Sequence, residues 1–167
     1  ISDSKSGYSG AGRSVHKKYK NKNLYESLSA YGVGFHRHNA EINQELNKYT
    51  KSKMKFIFTP HLTPMFRGIL STFYIDLKKG FSNKKIYKIL KNFYKKNLFI
   101  KVLKLNSLIG TNEVINTNNC VISICKTKYK NKIIILSAID NLIKGGAGQA
   151  IQNMNIKYGF SINEGLK

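Results

Sequence analysis

The chain has 167 residues, a length that allows one domain with a sizeable core but not two generous ones. Hydrophobic residues make up 41% of the sequence and 19 residues are Tyr or Phe, which excludes a disordered tail. No apolar run approaches the roughly 18–20 residues that span a bilayer, so the composition indicates a soluble protein without a membrane partner.

The formal net charge is +21, which points towards a polyanion-binding surface. The basic residues, however, are 26 Lys and only 3 Arg. Nucleic-acid surfaces usually include Arg, because its guanidinium group binds phosphate and base edges through two hydrogen bonds. The lysines are scattered among abundant Asn and Ile, whose codons are also AT-rich. Codon bias therefore explains the net charge as well as the alternative does, which is a basic nucleic-acid-binding module.

Residues 1–23 are rich in Gly, Ser, Lys and Asn, and this composition predicts a loop. Within them SGYSGAGR (6–13) has the glycine spacing G-x-x-G-x-G, the reverse of a dinucleotide fingerprint. No apolar strand precedes it and a basic stretch follows, so we do not expect it to hold a dinucleotide phosphate. Its glycines are expected to supply backbone freedom.

The next segments alternate between helix and strand patterns. A short helix is predicted over 39–49, with Asn39 as its N-cap. Two β-branched and aromatic runs, 55–62 and 67–77, predict strands joined by an irregular link that contains Pro60 and Pro64. Ser82 is predicted to cap an amphipathic helix over 82–97 with a solvated lysine face.

Three more strands are predicted over 98–105, 120–128 and 132–140, and the last two form a hairpin. A final helix starts at Asp140 or Asn141. Cys120 and Cys125 are five residues apart on one strand, so we expect structural thiols on opposite faces rather than a disulfide or metal site. The order of elements predicts an α+β fold with a mixed, largely antiparallel sheet covered by helices.

His36-Arg37-His38 is the most chemically suggestive tripeptide of the chain. It directly precedes a predicted helix, and the positive end of a helix dipole favours neutral imidazole, as a general base near neutral pH requires. Glu41 is placed to orient one of the rings. A pair of surface histidines, one of them paired with a carboxylate, and a weak H-x-H metal site are the alternatives, and spacing alone favours the surface pair.

Three further features have structural and functional explanations that the sequence leaves open. Arg37 and Arg67 are conspicuous because Arg is scarce, and either bidentate anion binding or a buried salt bridge accounts for them. His61, between two prolines, fits a packed, hydrogen-bonded histidine better than a catalyst. Residues 145–148 (GGAG) precede a helix but match no phosphate-loop motif, so close helix packing is the better interpretation.

Four motifs occur in a family's order and span nearly the whole chain: SGYSGAGR (6–13), YGVGFHRHNAEI (31–42), FTPHLTPMFRGI (58–69) and DNLIKGGAGQAIQNMN (140–155). Through them the chain resembles N-acetyl-gamma-glutamyl-phosphate reductase, the NADPH-dependent enzyme family of arginine biosynthesis. The resemblance implies a glyceraldehyde-3-phosphate-dehydrogenase-like C-terminal domain. Residues 1–139 would bind substrate, catalyse and dimerise, and residues 140–167 would pack on a nucleotide-binding half expected upstream of Ile1.

The resemblance also implies the chemistry and the residues that perform it. A cysteine of the upstream half, neither Cys120 nor Cys125, would form a thioacyl intermediate with N-acetylglutamyl phosphate, and hydride from NADPH would reduce it to the semialdehyde. His38 would be the acid/base partner of that cysteine, with His36 the alternative. The implied substrate-binding residues are Ser6, Arg13, Tyr31, His36, Arg37 and Glu41, the two arginines on charge alone. The implied NADP(H)-binding residues are Asn141 and Gln149, and no metal is implied.

The same resemblance sets expectations for the whole molecule. We expect a cytoplasmic homo-oligomer, a dimer or tetramer, that associates through the sheet face left open by the helices. Neither a nucleic-acid nor a membrane partner is expected. Residues 1–167 alone are expected to show no turnover, because the nucleophile and most of the cofactor site would lie in the other half.

Overall fold

The computed structural model describes residues 1–14, 26–50 and 54–167, with the backbone alone at 13 and 14. Its strands are β1 (Ser2–Gly7), β2 (Ser29–Ala30), β3 (Phe58–Thr63), β4 (Ile69–Asp76), β5 (Ile100–Val102), β6 (Cys120–Lys126) and β7 (Lys132–Ile139). Its α-helices are α1 (His38–Lys48), α2 (Asn83–Tyr94) and α3 (Gly148–Tyr158), with shorter helical turns at Tyr8–Ser14, Thr111–Glu113 and Ile143–Ala147.

The seven strands of the described residues form one mixed sheet in the order β2-β3-β1-β4-β7-β6-β5. The β1–β3 and β5–β6 pairs are parallel, and the other four pairs are antiparallel. The predicted α+β class, with a mixed and largely antiparallel sheet, is confirmed. So is the hairpin between β6 and β7, whose turn is closed by a hydrogen bond from Lys132 N to Tyr129 O of 3.1 Å.

The prediction of a loop over residues 1–23 is wrong for Ser2–Gly7, which form β1 between β3 and β4. Ser2 and Ser4 are 2% and 6% exposed, so small polar side chains occupy buried positions of the sheet. The Ser4 hydroxyl lies 2.8 Å from that of Ser71 on β4, which satisfies hydrogen-bonding groups that burial would otherwise leave unpaired. Because SDSKSG has no apolar alternation, the usual strand pattern does not detect it.

Pro60 was predicted to lie in a link between strands, and it lies inside β3 instead. Its carbonyl accepts a hydrogen bond of 3.1 Å from Tyr31 N, on the side of β2. A proline removes an N–H donor, and β2 has only two residues, so β3 loses little ladder pairing on that side. The strand predicted over 98–105 is also shorter, since β5 contains three residues.

The three predicted helices are present in the structure, but they begin and end at other residues than predicted. α1 begins at His38 after an N-cap at Arg37, and the side chain of Asn39 donates to Gly34 O at 3.0 Å instead of capping. Ser82 caps α2 as predicted, because its hydroxyl accepts from Lys85 N at 3.2 Å. α3 begins only at Gly148, since a π-helical turn precedes it.

The sheet has two faces with different cover. We call the face that carries Ser2, Ser4 and Ser6 the helical face, because α2 and the residues that lead into α1 lie against it. Tyr94 of α2 lines a groove with Ile100 and Val102, and the ring of His36 contacts Phe58; strand register places all three sheet residues on this face.

We call the opposite face, which carries Asp3 and Lys5, the open face. The segment over 103–117 covers its β4–β7–β6 part, where Ile109 and Val114 pack with Val121 and Ala138 in the apolar core. Towards β1 and β3 the face stays half-exposed and polar. There His61 Nδ1 lies 3.2 Å from an Asp3 carboxylate oxygen without making a hydrogen bond, so the prediction of a hydrogen-bonded His61 does not hold for this atom.

The two cysteines lie on β6 in registers opposite Ile139 and Ile134, which confirms that they face opposite sides of the sheet. Both thiols are free, and burial raises the pKa of the Cys120 thiol. Within residues 1–14, 26–50 and 54–167, no three His, Cys, Asp or Glu side chains converge as a metal site would require. No helix in those ranges has the length and apolar character needed to cross a membrane.

Candidate active site

The structure brings together Tyr31, His36, His38 and Phe58, which we call the histidine cluster. Tyr31 and Phe58 approach the His36 ring edge-on, each with ring centres 5.4 Å apart. The His38 ring stands at 71° to that of His36 with centres 4.7 Å apart. The four rings therefore pack edge to face at the start of α1, and they hold the two histidines in one cluster.

The local sequence explains how the chain turns into this cluster. Gly32 and Gly34 have φ of 57° and 76°, a left-handed conformation that glycine adopts without steric cost. A Cβ on Gly32 would lie 3.0 Å from the His36 ring, so glycine also leaves the ring its place. Asn39 N donates to His36 O at 2.8 Å, which fixes the turn to the first residues of α1.

The two histidines differ in environment. His36 is half-buried and its Nδ1 accepts a hydrogen bond of 3.3 Å from the backbone N–H of His38, whereas His38 is exposed. Burial, then the neighbouring His38 and then the Arg37 guanidinium, lower the pKa of His36 below its ordinary value. His36 is therefore held as neutral imidazole at neutral pH.

A second cluster forms where β1 ends, around the buried amide of Asn141. Its oxygen accepts from Gly68 N at 2.8 Å, and its NH2 group donates to Ser9 Oγ at 3.0 Å and to Gly7 O at 3.4 Å. A Cβ on Gly10 would lie 3.2 Å from the Asn141 amide nitrogen and 3.5 Å from Ser6 Oγ. Asn141 thus ties the SGYSGAGR segment to the chain before α3.

Asp140, next to this amide, is fully buried and has four hydrogen-bond donors. One oxygen accepts from the N–H groups of Leu142 and Ile143, and the other from Asn116 N and Arg67 Nη1. Of the two explanations that the sequence left for Arg67, the structure shows the salt bridge, at 3.3 Å. Asp140 fixes the chain direction into the π-helical turn.

A third group of side chains holds the base of α3. Gln152 Oε1 accepts from Lys144 Nζ at 2.7 Å and from Asn118 Nδ2 at 2.8 Å. Gly148 fits because a Cβ there would lie 2.6 Å from Asn118 Oδ1, which confirms close packing as the role of this glycine. Burial lowers the pKa of Lys144, whose ammonium also lies 5.6 Å from the centre of the Phe99 ring.

The remaining predicted site residues are distributed around these clusters. Arg37 and Glu41 are exposed at the start of α1, and Ser6 pairs with Leu62, about 13 Å along β3 from Phe58. Gln149 donates to Asn153 Oδ1 at 2.8 Å on α3. The side chain of Arg13 lies outside the described residues. Sequence reasoning did not single out Phe58, because its contact with His36 depends on strand pairing.

The fold and these clusters define a class of protein. The family model described as "Semialdehyde dehydrogenase, dimerisation domain" matches residues 1–141, and the chain belongs to that family. Among solved structures, aspartate semialdehyde dehydrogenase II from Vibrio cholerae shares the fold, with a TM-score of 0.68 and 12% identity over 93% of this chain and 54% of that one. The aspartate semialdehyde dehydrogenase from Francisella tularensis matches with a TM-score of 0.64 and 16% identity over 86% of this chain and 43% of that one.

Closer relatives carry a more particular name. N-acetyl-gamma-glutamyl-phosphate reductase from Thermoanaerobacter sp. (strain X514) is 48% identical over 99% of this chain and 48% of its own length. The protein of that name from Staphylococcus aureus (strain MRSA252) is 41% identical over 100% of this chain and 49% of its own. The resemblance carried by the four motifs is confirmed, and the nucleic-acid-binding alternative is not favoured. The chain spans about half the length of the curated relatives it matches.

Proposed function

We propose that this chain is the substrate-binding and dimerisation part of an NADP-dependent N-acetyl-gamma-glutamyl-phosphate reductase. The observation that carries the proposal is the histidine cluster, built from the HRH tripeptide in a chain whose relatives bear that name at 41–48% identity. Since the chain corresponds to half of each relative, the nucleophilic cysteine and most of the cofactor site belong to the other half.

His38 is the proposed acid/base residue. It is exposed at the first turn of α1, so its ring is accessible to a reacting group. It would accept the proton of the cysteine thiol as the sulfur attacks the acyl carbonyl and phosphate leaves. It would give that proton to the oxygen of the reduced adduct. As the C–S bond then breaks to release the semialdehyde, the O–H proton would pass back through His38 to the cysteine sulfur.

The substrate carries a carboxylate and an acyl phosphate, so positive charge and hydrogen-bond donors should surround it. Arg37, the N-cap residue of α1, supplies a guanidinium group at the positive end of the helix dipole. Tyr31 and Glu41 flank the same helix start, and we assign them to the acetamido end of the substrate. Ser6 and Arg13 would complete the pocket from the SGYSGAGR segment.

NADP(H) supplies hydride when it is bound, and two residues of this chain are proposed to contact it. The Asn141 oxygen accepts one hydrogen bond and retains a second lone pair, so it fits an N–H donor such as a carboxamide. Gln149 is the second residue of α3. That helix and the residues after it expose an apolar surface suited to docking on a nucleotide-binding half: Ile151, Met154, Ile156, Tyr158 and Phe160.

We propose further that two copies associate through the open face, as the family description suggests in general terms. Tyr74 is 48% exposed there, beside the half-exposed Asp3, Lys5 and Thr72, and strand register places all four on one surface.

The two half-buried free thiols, Cys120 and Cys125, fit the reducing cytoplasm that we propose as the location of the protein.

The test joins the upstream half of the Thermoanaerobacter relative to residues 1–167 and follows NADPH oxidation with N-acetylglutamyl phosphate. We expect turnover from the joined protein and none from residues 1–167 alone. His38→Gln should lower kcat by at least about 100-fold, the usual contribution of a general acid–base. Glu45→Gln is the matched control, because Glu45 is exposed on α1 and pairs only with Lys48 among the described contacts.

Two outcomes would count against the proposal. A joined protein that is folded, binds NADPH and yet shows no turnover would reject the assigned reaction. Equal kcat values for His38→Gln and Glu45→Gln would leave the reaction in place but reject His38 as its acid/base residue.

A further inference from the structure

The histidine cluster contains two histidines, whereas the proposed acid/base role needs only one. We propose that His36 is a positioning residue, a neutral imidazole clamped between Tyr31 and Phe58 that holds the ring of His38 for proton transfer. The assignment to the reaction rests on the function proposed above, whereas the clamp itself does not. It replaces the role of substrate ligand that the family resemblance implied for His36.

The hydrogen bond at His36 fixes its protonation state. Nδ1 accepts from the backbone N–H of His38, so the proton of the neutral ring is on Nε2. Protonation of Nδ1 would break this contact and place a cation beside the Arg37 guanidinium and the His38 ring. Among the residues that the structure describes, the charged and aromatic groups that face His36 are Arg37, His38, Tyr31 and Phe58, and none of these four carries a carboxylate.

The clamp depends on the sheet. β3 pairs with β1 so that Phe58 lies opposite Ser2 on the helical face, directly against His36. Phe56 stacks behind Phe58 with centres 6.5 Å apart and planes at 14°. Gly32 also lies close to the ring, because a Cβ there would be 3.0 Å from the imidazole. The ring of His36 is therefore held by several contacts. The ring of His38 in turn packs against the ring of His36.

The first experiment follows the imidazole nitrogen and carbon signals of residues 1–167 by NMR over a pH series. We expect His36 to titrate below an ordinary histidine and to show unprotonated Nδ1 at neutral pH. Phe58→Leu should raise the pKa of His36 towards its ordinary value and shift the His38 signals, because the ring loses its packing. Phe93→Leu is the control, since Phe93 is an aromatic residue on α2 with 72% exposure.

The second experiment uses the joined protein and separates ring position from acceptor chemistry. His36→Phe keeps a ring but removes the acceptor, and His36→Asn keeps an acceptor near the position of Nδ1. We expect His36→Phe to lower kcat about tenfold with KM changed less than about twofold, and His36→Asn to recover kcat to within about threefold of the parent. This split distinguishes positioning from substrate binding, which would raise KM.

The results are decisive in each direction. A proton on Nδ1 of His36 at neutral pH, or His38 signals unchanged by Phe58→Leu, would overturn the clamp. A KM rise with unchanged kcat in His36→Phe would return His36 to the substrate pocket. If the joined protein has no activity while the NMR results are as expected, the proposed function fails and the clamp stands.

Discussion

Single residues at the end of the sheet decide how the chain enters its last helix. The carboxylate of Asp140 is fully buried and accepts four hydrogen bonds, one of them from the guanidinium group of Arg67. A buried charge is stable only while such partners remain, because water cannot replace them. The sequence marked Asp140 as a helix start and Arg67 as unusual, but it could not show their contact, since they are 73 residues apart.

Replacing Asp140 tests this network. We expect Asp140→Ala to lower the free energy of unfolding by about 3–5 kcal/mol, because it leaves a guanidinium group and three N–H donors without their acceptor. Asp76→Ala is the matched control: it breaks the ion pair with Lys132, but the Asp76 side chain is 74% exposed, so the loss should stay within about 1 kcal/mol. Urea unfolding followed by circular dichroism measures both, and equal losses would contradict the buried network.

Among the elements, the sequence did not predict β1 or β2, and β1 matters more because it lies inside the sheet. Local patterns predicted the existence of the three α-helices and of five strands, and α2 with its Ser82 cap and the β6–β7 hairpin show this most clearly. β1 has no such local pattern, because its buried residues are Ser2, Ser4 and Gly7 and its half-buried residues are Asp3, Lys5 and Ser6. Its place between β3 and β4 comes from pairing with distant strands, information that no local window contains. The contact of Phe58 with His36 was hidden for the same reason.

The glycine at the end of β1 tests how closely this strand is packed. A Cβ on Gly7 would lie 2.6 Å from Phe66 O, and backbone cannot move as a side-chain end can. We expect Gly7→Ala to destabilise the fold by about 1–3 kcal/mol, the usual cost of overpacking. Gly7 therefore lets the backbone of Phe66 approach the end of β1 closely. Gly12, with φ of 70°, has instead the backbone freedom predicted for the segment.

Gly145→Ala is the control for Gly7→Ala. Its Cβ would come close to the flexible terminal methyl of Ile139 at 3.3 Å, and it would lie at an ordinary van der Waals distance of 3.5 Å from Asp140 O. Thermal unfolding of both variants by circular dichroism gives the comparison. A Gly7→Ala variant as stable as the Gly145→Ala variant would mean that β1 ends more loosely than its contacts indicate.

At the scale of the whole molecule, the family motifs are a better guide to the candidate site than the net charge is. The HRH and SGYSGAGR motifs led to residues that the structure places in two clusters, at the start of α1 and at the end of β1. The +21 net charge gave no comparable guide, since lysines lie along the entire sequence. That charge still has a physical consequence, because two copies of a strongly basic chain repel each other, and salt screens the repulsion.

The proposed open-face dimer can therefore be tested at physiological ionic strength by sedimentation velocity. Tyr74→Glu places a carboxylate at a position that two copies would bury, and desolvating it without a partner should weaken dimerisation at least about tenfold. Phe93→Glu makes the same change in charge on α2, at a side chain that is 72% exposed, and should leave the dimer intact. If Phe93→Glu dissociates the dimer and Tyr74→Glu does not, the copies associate through the helical side, and the open face must have another partner.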